Sequence, residues 1–179
     1  QVNDAYIKLL VESLKPVHKN LNTFGIGLSD NVNITSQGVD EVFKLIQSMD
    51  ALRTLYLWMG NVRASKDSYK MLGECVLPSL KSLVDLDLWL PQSAISDESI
   101  YTILMNLPNL EKLTIDLSMT SVTENTLEMF ADKVLPKLEA LKYLSFKADQ
   151  TKVHPTTLDK IQKISESLRK EESNNNEIN

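Results

Sequence analysis

Side chains able to do covalent or acid–base chemistry are sparse: two histidines, His18 and His154, and one cysteine, Cys75, in 179 residues. Nucleophilic catalysis needs a nucleophile, a base and an orienting group to converge. His18 ends an N-terminal helical stretch, His154 stands at a helix-start position and Cys75 lies in an apolar helical stretch, so these three do not form such a set. Cys75 is expected in the core. There is no Gly-x-x-x-x-Gly-Lys-Ser/Thr phosphate loop and no His/Cys spacing suited to zinc. Asp85, Asp87 and Asp116 come nearest to a divalent-cation cluster, but Lys112 and Lys147 stand beside them, which disfavours it. We therefore expect no enzyme activity, no cofactor and no metal. The residues whose chemistry suits recognition are Tyr56, Trp58, Trp89 and the aspartates around them, because large rigid aromatics flanked by charge are typical of binding hot spots.

Bulk composition narrows the partner. The 19 basic and 24 acidic residues give a net charge of −5, which offers no basic field to nucleic acid. No apolar run approaches the roughly 20 residues that span a bilayer. Protein is left as the expected partner, with neither nucleic acid nor membrane. A lone cysteine cannot form an internal disulfide, which suits a reducing compartment, so the expected location is intracellular, cytoplasmic or cytoskeletal. The chain opens on Gln1 rather than Met, as an excerpt or a processed product would.

The elements that position the aromatics come from a repeat. The pattern Leu-x-x-Leu-x-Leu-x-apolar occurs five times: Leu21, Phe24, Ile26, Leu28; Leu52, Leu55, Leu57, Met59; Leu83, Leu86, Leu88, Leu90; Leu110, Leu113, Ile115, Leu117; and Leu141, Leu144, Phe146, Ala148. The starts are 31, 31, 27 and 31 residues apart. The last three positions of each block alternate with other residues, the period of a strand with one buried face. The short interval is four residues less, about one helical turn. Each block is followed by apolar residues at helical spacing, such as Val39, Val42, Phe43, Ile46, Met49 and Leu127, Phe130, Val134, Leu138. Ser96 and Thr123 are expected N-caps. A Leu-Pro-x-Leu phrase recurs at Leu77, Leu107 and Leu135, where proline ends a helix and starts the return to the sheet.

This unit resembles the leucine-rich repeat family, in its ribonuclease-inhibitor-like branch, over roughly residues 21–168. The resemblance implies an α/β fold: a right-handed solenoid, or horseshoe arc, of about five strand–helix repeats with a parallel concave sheet and convex helices. It also implies a protein-interaction module, with a structural subunit of a cytoskeletal or ciliary assembly as the alternative. A more remote alternative is a regulator of small GTPases, which such arrays include. Arg63, after the second strand, is the one arginine placed to meet a transferring phosphate. The family sets an asparagine after each strand to tie neighbouring turns together; here those positions are Ser29, Gly60, Pro91, Ser118 and Asp149.

The array is expected to form one domain over residues 1–170. It begins with a helix over 2–20 that buries Ala5, Leu9, Leu10 and Leu14, and its repeats start at 21. A polar capping helix over 155–170, carrying Lys160, Lys163, Glu166 and Arg169, closes it. Residues 171–179 lack apolar anchors and are expected to form a disordered polar tail.

Between the buried leucines, three outward rows are expected across the concave sheet: Thr23, Thr54, Asp85, Lys112, Tyr143; Gly25, Tyr56, Asp87, Thr114, Ser145; and Gly27, Trp58, Trp89, Asp116, Lys147. The binding expectation falls on Tyr56, Trp58, Asp85, Asp87, Trp89, Asp116 and Lys147, with the aspartates selecting a basic or amide-rich segment. The bland alternative is that the two indoles cover each other while Asp85 pairs with Lys112 and Asp116 with Lys147. Gly25 and Gly27 either admit a close backbone approach or are weak residues of an edge strand.

Overall fold

A computed structural model describes residues 2–177, with side chains described through residue 169. Five parallel strands form one sheet in sequence order: β1 Thr23–Gly27, β2 Thr54–Trp58, β3 Asp85–Trp89, β4 Lys112–Asp116 and β5 Tyr143–Lys147. A parallel neighbour requires a crossover, and each crossover here is helical. The helices are α1 Asp4–Leu14, α2 Ser36–Gln47, α3 Lys66–Met71, α4 Leu77–Ser79, α5 Asp97–Met105, α6 Glu124–Met129 and α7 Pro155–Glu177. Between sheet and helices the repeat leucines are sequestered, with Leu55, Leu57, Leu86, Leu88, Leu113 and Ile115 almost wholly inaccessible. Leu21, Ile26 and Phe146, in the first and last repeats, are only partly buried, because each has a neighbouring repeat on one side only.

The register follows from the repeat spacing. Thr54 pairs with Asp85, Tyr56 with Asp87 and Trp58 with Trp89, and the same phase holds across all five strands. One residue of slip would turn every leucine to the other face.

The long repeats carry more helix than the short one, as the 12-residue α2 in one and a π turn in each of the other two. In two of the 31-residue repeats a π-helical segment follows the α-helix, at Leu72–Val76 and Phe130–Val134. In the 27-residue interval α5 runs Asp97–Met105 and ends at Asn106 without one. The wider turn also corrects the placement of Cys75. It is exposed, because the π segment buries Leu72, Gly73 and Val76 and rolls the residues between them outward.

Two ladders tie the repeats together. In the loop after every strand one residue takes a left-handed backbone: Asp30, Asn61, Gln92, Met119 and Gln150, with φ between 53° and 62°. The first four donate their amides to the carbonyls of Gly60, Pro91, Ser118 and Asp149 in the next repeat, at 2.7–3.0 Å. The hydroxyls of Ser29 and Ser118 accept from the amides of Gly60 and Asp149, each at 3.2 Å. Backbone and serine thus tie neighbouring repeats together at the positions where asparagines were expected.

The second ladder joins the helix starts. Asp4 accepts from the amide and hydroxyl of Thr35 at 2.9 and 2.6 Å. Ser36 accepts from the amide of Ser65 at 2.8 Å, and Asp97 from the amide and hydroxyl of Thr123 at 2.8 and 2.7 Å. Glu124 does the same for the His154 amide and the Thr157 hydroxyl. In each case the first residue of one helix satisfies a donor at the start of the next. Ser96 caps α5 as expected. Thr123 stands at the N-cap of α6, but its side chain makes no capping bond, since its hydroxyl is committed to Asp97.

The ends differ from expectation in two respects. α1 covers only Asp4–Leu14, followed by a 3-10 turn at His18–Asn20. It buries Ile7 and Val11, whereas Ala5 and Leu10 are exposed and Leu9 retains 64% of its surface. The Asp4–Thr35 bonds fix the rotation of α1, so the residues in line with Asp4 at helical spacing, Ile7, Val11 and Leu14, face α2. At the other end α7 runs to Glu177, so the backbone over 171–177 is helical where a disordered tail was expected; residues 178–179 lie outside the described residues. The Arg, Lys and Glu of 169–172 are good helix formers and allow the helix to continue. α7 also closes the sheet edge, since the Ser165 hydroxyl donates to the Leu144 carbonyl of β5.

Candidate interaction surface on the open face of the sheet

Strands β2 and β3 read Thr-Leu-Tyr-Leu-Trp and Asp-Leu-Asp-Leu-Trp. Their leucines anchor the core side, so Tyr56, Trp58, Asp85, Asp87 and Trp89 stand on the opposite face. Trp58 retains 48% of its surface and Trp89 39%. Although their strands pair Trp58 with Trp89, both rings lean the same way, each toward the preceding repeat. The Trp58 Cε3 atom lies 3.6 Å from where a β-carbon on Gly27 would be, and Tyr56 Cδ2 lies 3.4 Å from the same point on Gly25. Trp89 lies over Gly60. The bare glycines are the floor on which the aromatics rest. The Tyr56 and Trp58 rings stack at 6.4 Å between centroids, while among the described residues no ring contact joins Trp58 to Trp89.

Between the two indoles lies an open notch of about 490 Å³ lined by Gly27, Ser29, Trp58 and Trp89. The carboxylates around it differ. Asp85 pairs with Lys112 at 3.5 Å and accepts from the Tyr56 hydroxyl at 3.4 Å. Lys112 in turn lies over the Tyr143 ring at 5.7 Å, and Arg169 lies over the same ring at 5.2 Å. Asp116 is only 9% exposed and accepts from the Ser118 amide at 2.9 Å. Asp87 is set apart: burial pushes its pKa up, and the Trp58 indole N–H and Lys112 only partly offset this. Among the described residues, neither Asp87 nor Asp30 has a cation within ion-pairing distance.

The expected residues are thus brought to one face. Tyr56, Trp58, Asp85, Asp87 and Trp89 are grouped, Asp116 sits beside Trp89 and exposed Lys147 beside Asp116. Of the internal ion pairs in the bland alternative, Asp85–Lys112 forms, whereas no Asp116–Lys147 ion pair occurs among the described residues. Sequence reasoning missed Ser29, which lines the notch, and Gly60, on which Trp89 rests; the glycine where an asparagine was expected was the available signal. Arg63 is exposed and its backbone bridges Thr35, beside the start of α2. Buried His18 is tied through Nδ1 to the Lys15 carbonyl at 2.7 Å. Among the described residues no group of His, Cys, Asp and Glu could hold a metal ion, and no helix is long and apolar enough to cross a membrane.

No protein-family model matches the chain, and no curated protein matches it. Among solved structures it is similar to actin-binding site 2 of leiomodin-1, with a TM-score of 0.61 at 13% identity, over 93% of this chain and 91% of that one. At this identity the likeness shows the fold alone, and it fits a leucine-rich-repeat-like arrangement of one parallel sheet and helices.

Proposed function

We propose that the chain is a protein-interaction module whose concave sheet recruits or scaffolds a protein partner through Tyr56, Trp58, Asp85, Asp87, Trp89, Asp116 and Lys147. The observation that carries this is the exposed, mutually unstacked pair Trp58 and Trp89, resting on glycines beside a carboxylate that lacks a cationic partner. Indoles held this way present large apolar area with little freedom left to lose on binding. The repeat lengths support the finer reading of a right-handed, ribonuclease-inhibitor-like array, which we further read as acting inside the cell without catalysis.

The test is affinity purification from native cells with the wild type and a Trp58→Ala/Trp89→Ala variant, each shown to be folded by circular dichroism. A convex-face variant, Lys133→Ala, serves as control. Partners lost only from the tryptophan variant support the concave surface. An unchanged set of partners would sink it.

A second reading, a subunit of a cytoskeletal assembly, is favoured by the likeness to a domain named as an actin-binding site. Co-sedimentation of the chain with purified actin filaments tests it, and failure to pellet at micromolar actin would remove actin as the partner.

A further inference from the structure

We propose that the Trp58–Trp89 notch receives an arginine side chain from an extended basic segment of the partner. This rests on the concave sheet being the binding surface and names the chemistry that the surface selects.

The Trp58 ring leans from β2 over Gly27 of β1 with its benzo edge, and Asp87 stands on the neighbouring strand β3, two residues before Trp89 on the same face. Trp89 leans over Gly60 beside it. The space between the rings, about 490 Å³, opens above Gly27 and Ser29, where no side chain longer than serine intervenes. A planar guanidinium fits such a slot because it stacks on an indole face while its N–H fork remains free for carboxylates. Two carboxylates stand near the slot without lining it: Asp87, two residues before Trp89 on β3, and Asp30, which directly follows the wall residue Ser29. Asp30 accepts from the Asn61 amide group at 2.9 Å, and neither aspartate is ion-paired within the described chain. Lysine supplies charge without a planar face, and leucine supplies neither, so arginine satisfies most of what the slot presents. The basic residues on this face, Lys112 and Lys147, lie on β4 and β5. Lys112 is engaged with Asp85, so on the β1–β3 side Asp30 and Asp87 are left without an ion-pair partner among the described residues.

The two tryptophans are the only ones in the chain, so selectively excited tryptophan emission reports on the slot alone. The probes are the synthetic peptide Ser-Arg-Ser-Arg-Ser and its lysine and leucine counterparts, titrated into the full chain. The arginine peptide is expected to shift the emission, binding about tenfold tighter than the leucine peptide and measurably tighter than the lysine peptide, and Asp87→Asn to weaken it about tenfold. Binding should also weaken as salt is raised. Equal binding of the leucine peptide, no effect of Asp87→Asn in a folded variant, or no emission change with any peptide would each overturn the arginine assignment. Those outcomes leave the concave-surface reading standing if native partners still depend on Trp58 and Trp89. Loss of that dependence is a separate failure, seen in the affinity purification.

Discussion

Trp89 lies on Gly60, with ring atom Cζ3 2.8 Å from the point that a β-carbon on Gly60 would occupy. Pro91 closes the same point, its Cγ at 3.0 Å and its carbonyl oxygen at 3.1 Å. A methyl group there must displace an indole that forms one wall of the notch. Gly60→Ala is expected to cost about 1–3 kcal/mol and to shift tryptophan emission before any partner is added. An unchanged spectrum and melting temperature would show that Trp89 is not seated there.

A tighter approach occurs on the helical side. A β-carbon on Gly73 would lie 2.6 Å from the Ile103 amide nitrogen and 2.7 Å from the Thr102 carbonyl carbon. These are backbone atoms of α5 and cannot rotate away, so the π segment and α5 would have to separate. Gly73→Ala is expected to destabilise by about 3 kcal/mol or more, a larger drop in urea midpoint than Gly60→Ala gives. The reverse order would contradict the packing.

Met119 takes the left-handed backbone that Asp30 and Asn61 take in their own repeats, at φ 58°. A β-carbon raises the energy of that conformation, by about 1–2 kcal/mol for most residues, and Asn or Asp tolerates it better. Met119 is also exposed, so little packing is lost on replacing it. Met119→Asn is expected to raise stability by about 0.5–1 kcal/mol, read as a higher melting temperature; a fall would mean the Gln92 contact to its sulfur matters more than the backbone.

Asp97 links α5 to α6. Burial pushes its pKa up, but the Thr123 amide, Thr123 hydroxyl and Thr126 hydroxyl outweigh burial and hold it below the ordinary value. A carboxyl depressed in the folded state contributes stability that is complete above its unfolded pKa and lost as pH falls through its folded one. The wild type should exceed Asp97→Asn in stability by about 1–2 kcal/mol near neutrality, allowing for partial exposure, with the gap closing below about pH 4. Melting temperatures across an acid series check this, and a gap independent of pH would point elsewhere.

Asp87 has the opposite sign. Burial first, against the Trp58 indole N–H and Lys112, leaves its pKa raised. The charged form therefore costs stability above the folded pKa, and the cost vanishes as pH falls through that value toward the unfolded one. Asp87→Asn should melt higher than the wild type at neutral pH, with the gain shrinking as the pH approaches about 4. A residue whose removal stabilises the fold is one that folding alone does not require. A lower melting temperature at pH 7 would assign Asp87 a structural role.

Much of the fold was legible because the leucine pattern is a period-two signal repeated at a near-constant interval. That signal fixes which strand residues are buried, which pair across the sheet and which share a face, so Trp58, Trp89, Asp85 and Asp87 could be placed together from spacing alone. It does not fix what depends on contacts between repeats. The rotation of α1 is decided by two hydrogen bonds that Thr35, a residue 31 positions away, donates to Asp4, which turns Leu9 outward despite its hydrophobicity. The exposure of Cys75 is decided by a π turn that has no reliable sequence signature. The direction in which the indoles lean follows Gly27 and Gly60, glycines of neighbouring repeats whose missing side chains leave room for the rings. Sequence determined the face; tertiary packing decided that the two tryptophans open a notch on it rather than covering each other.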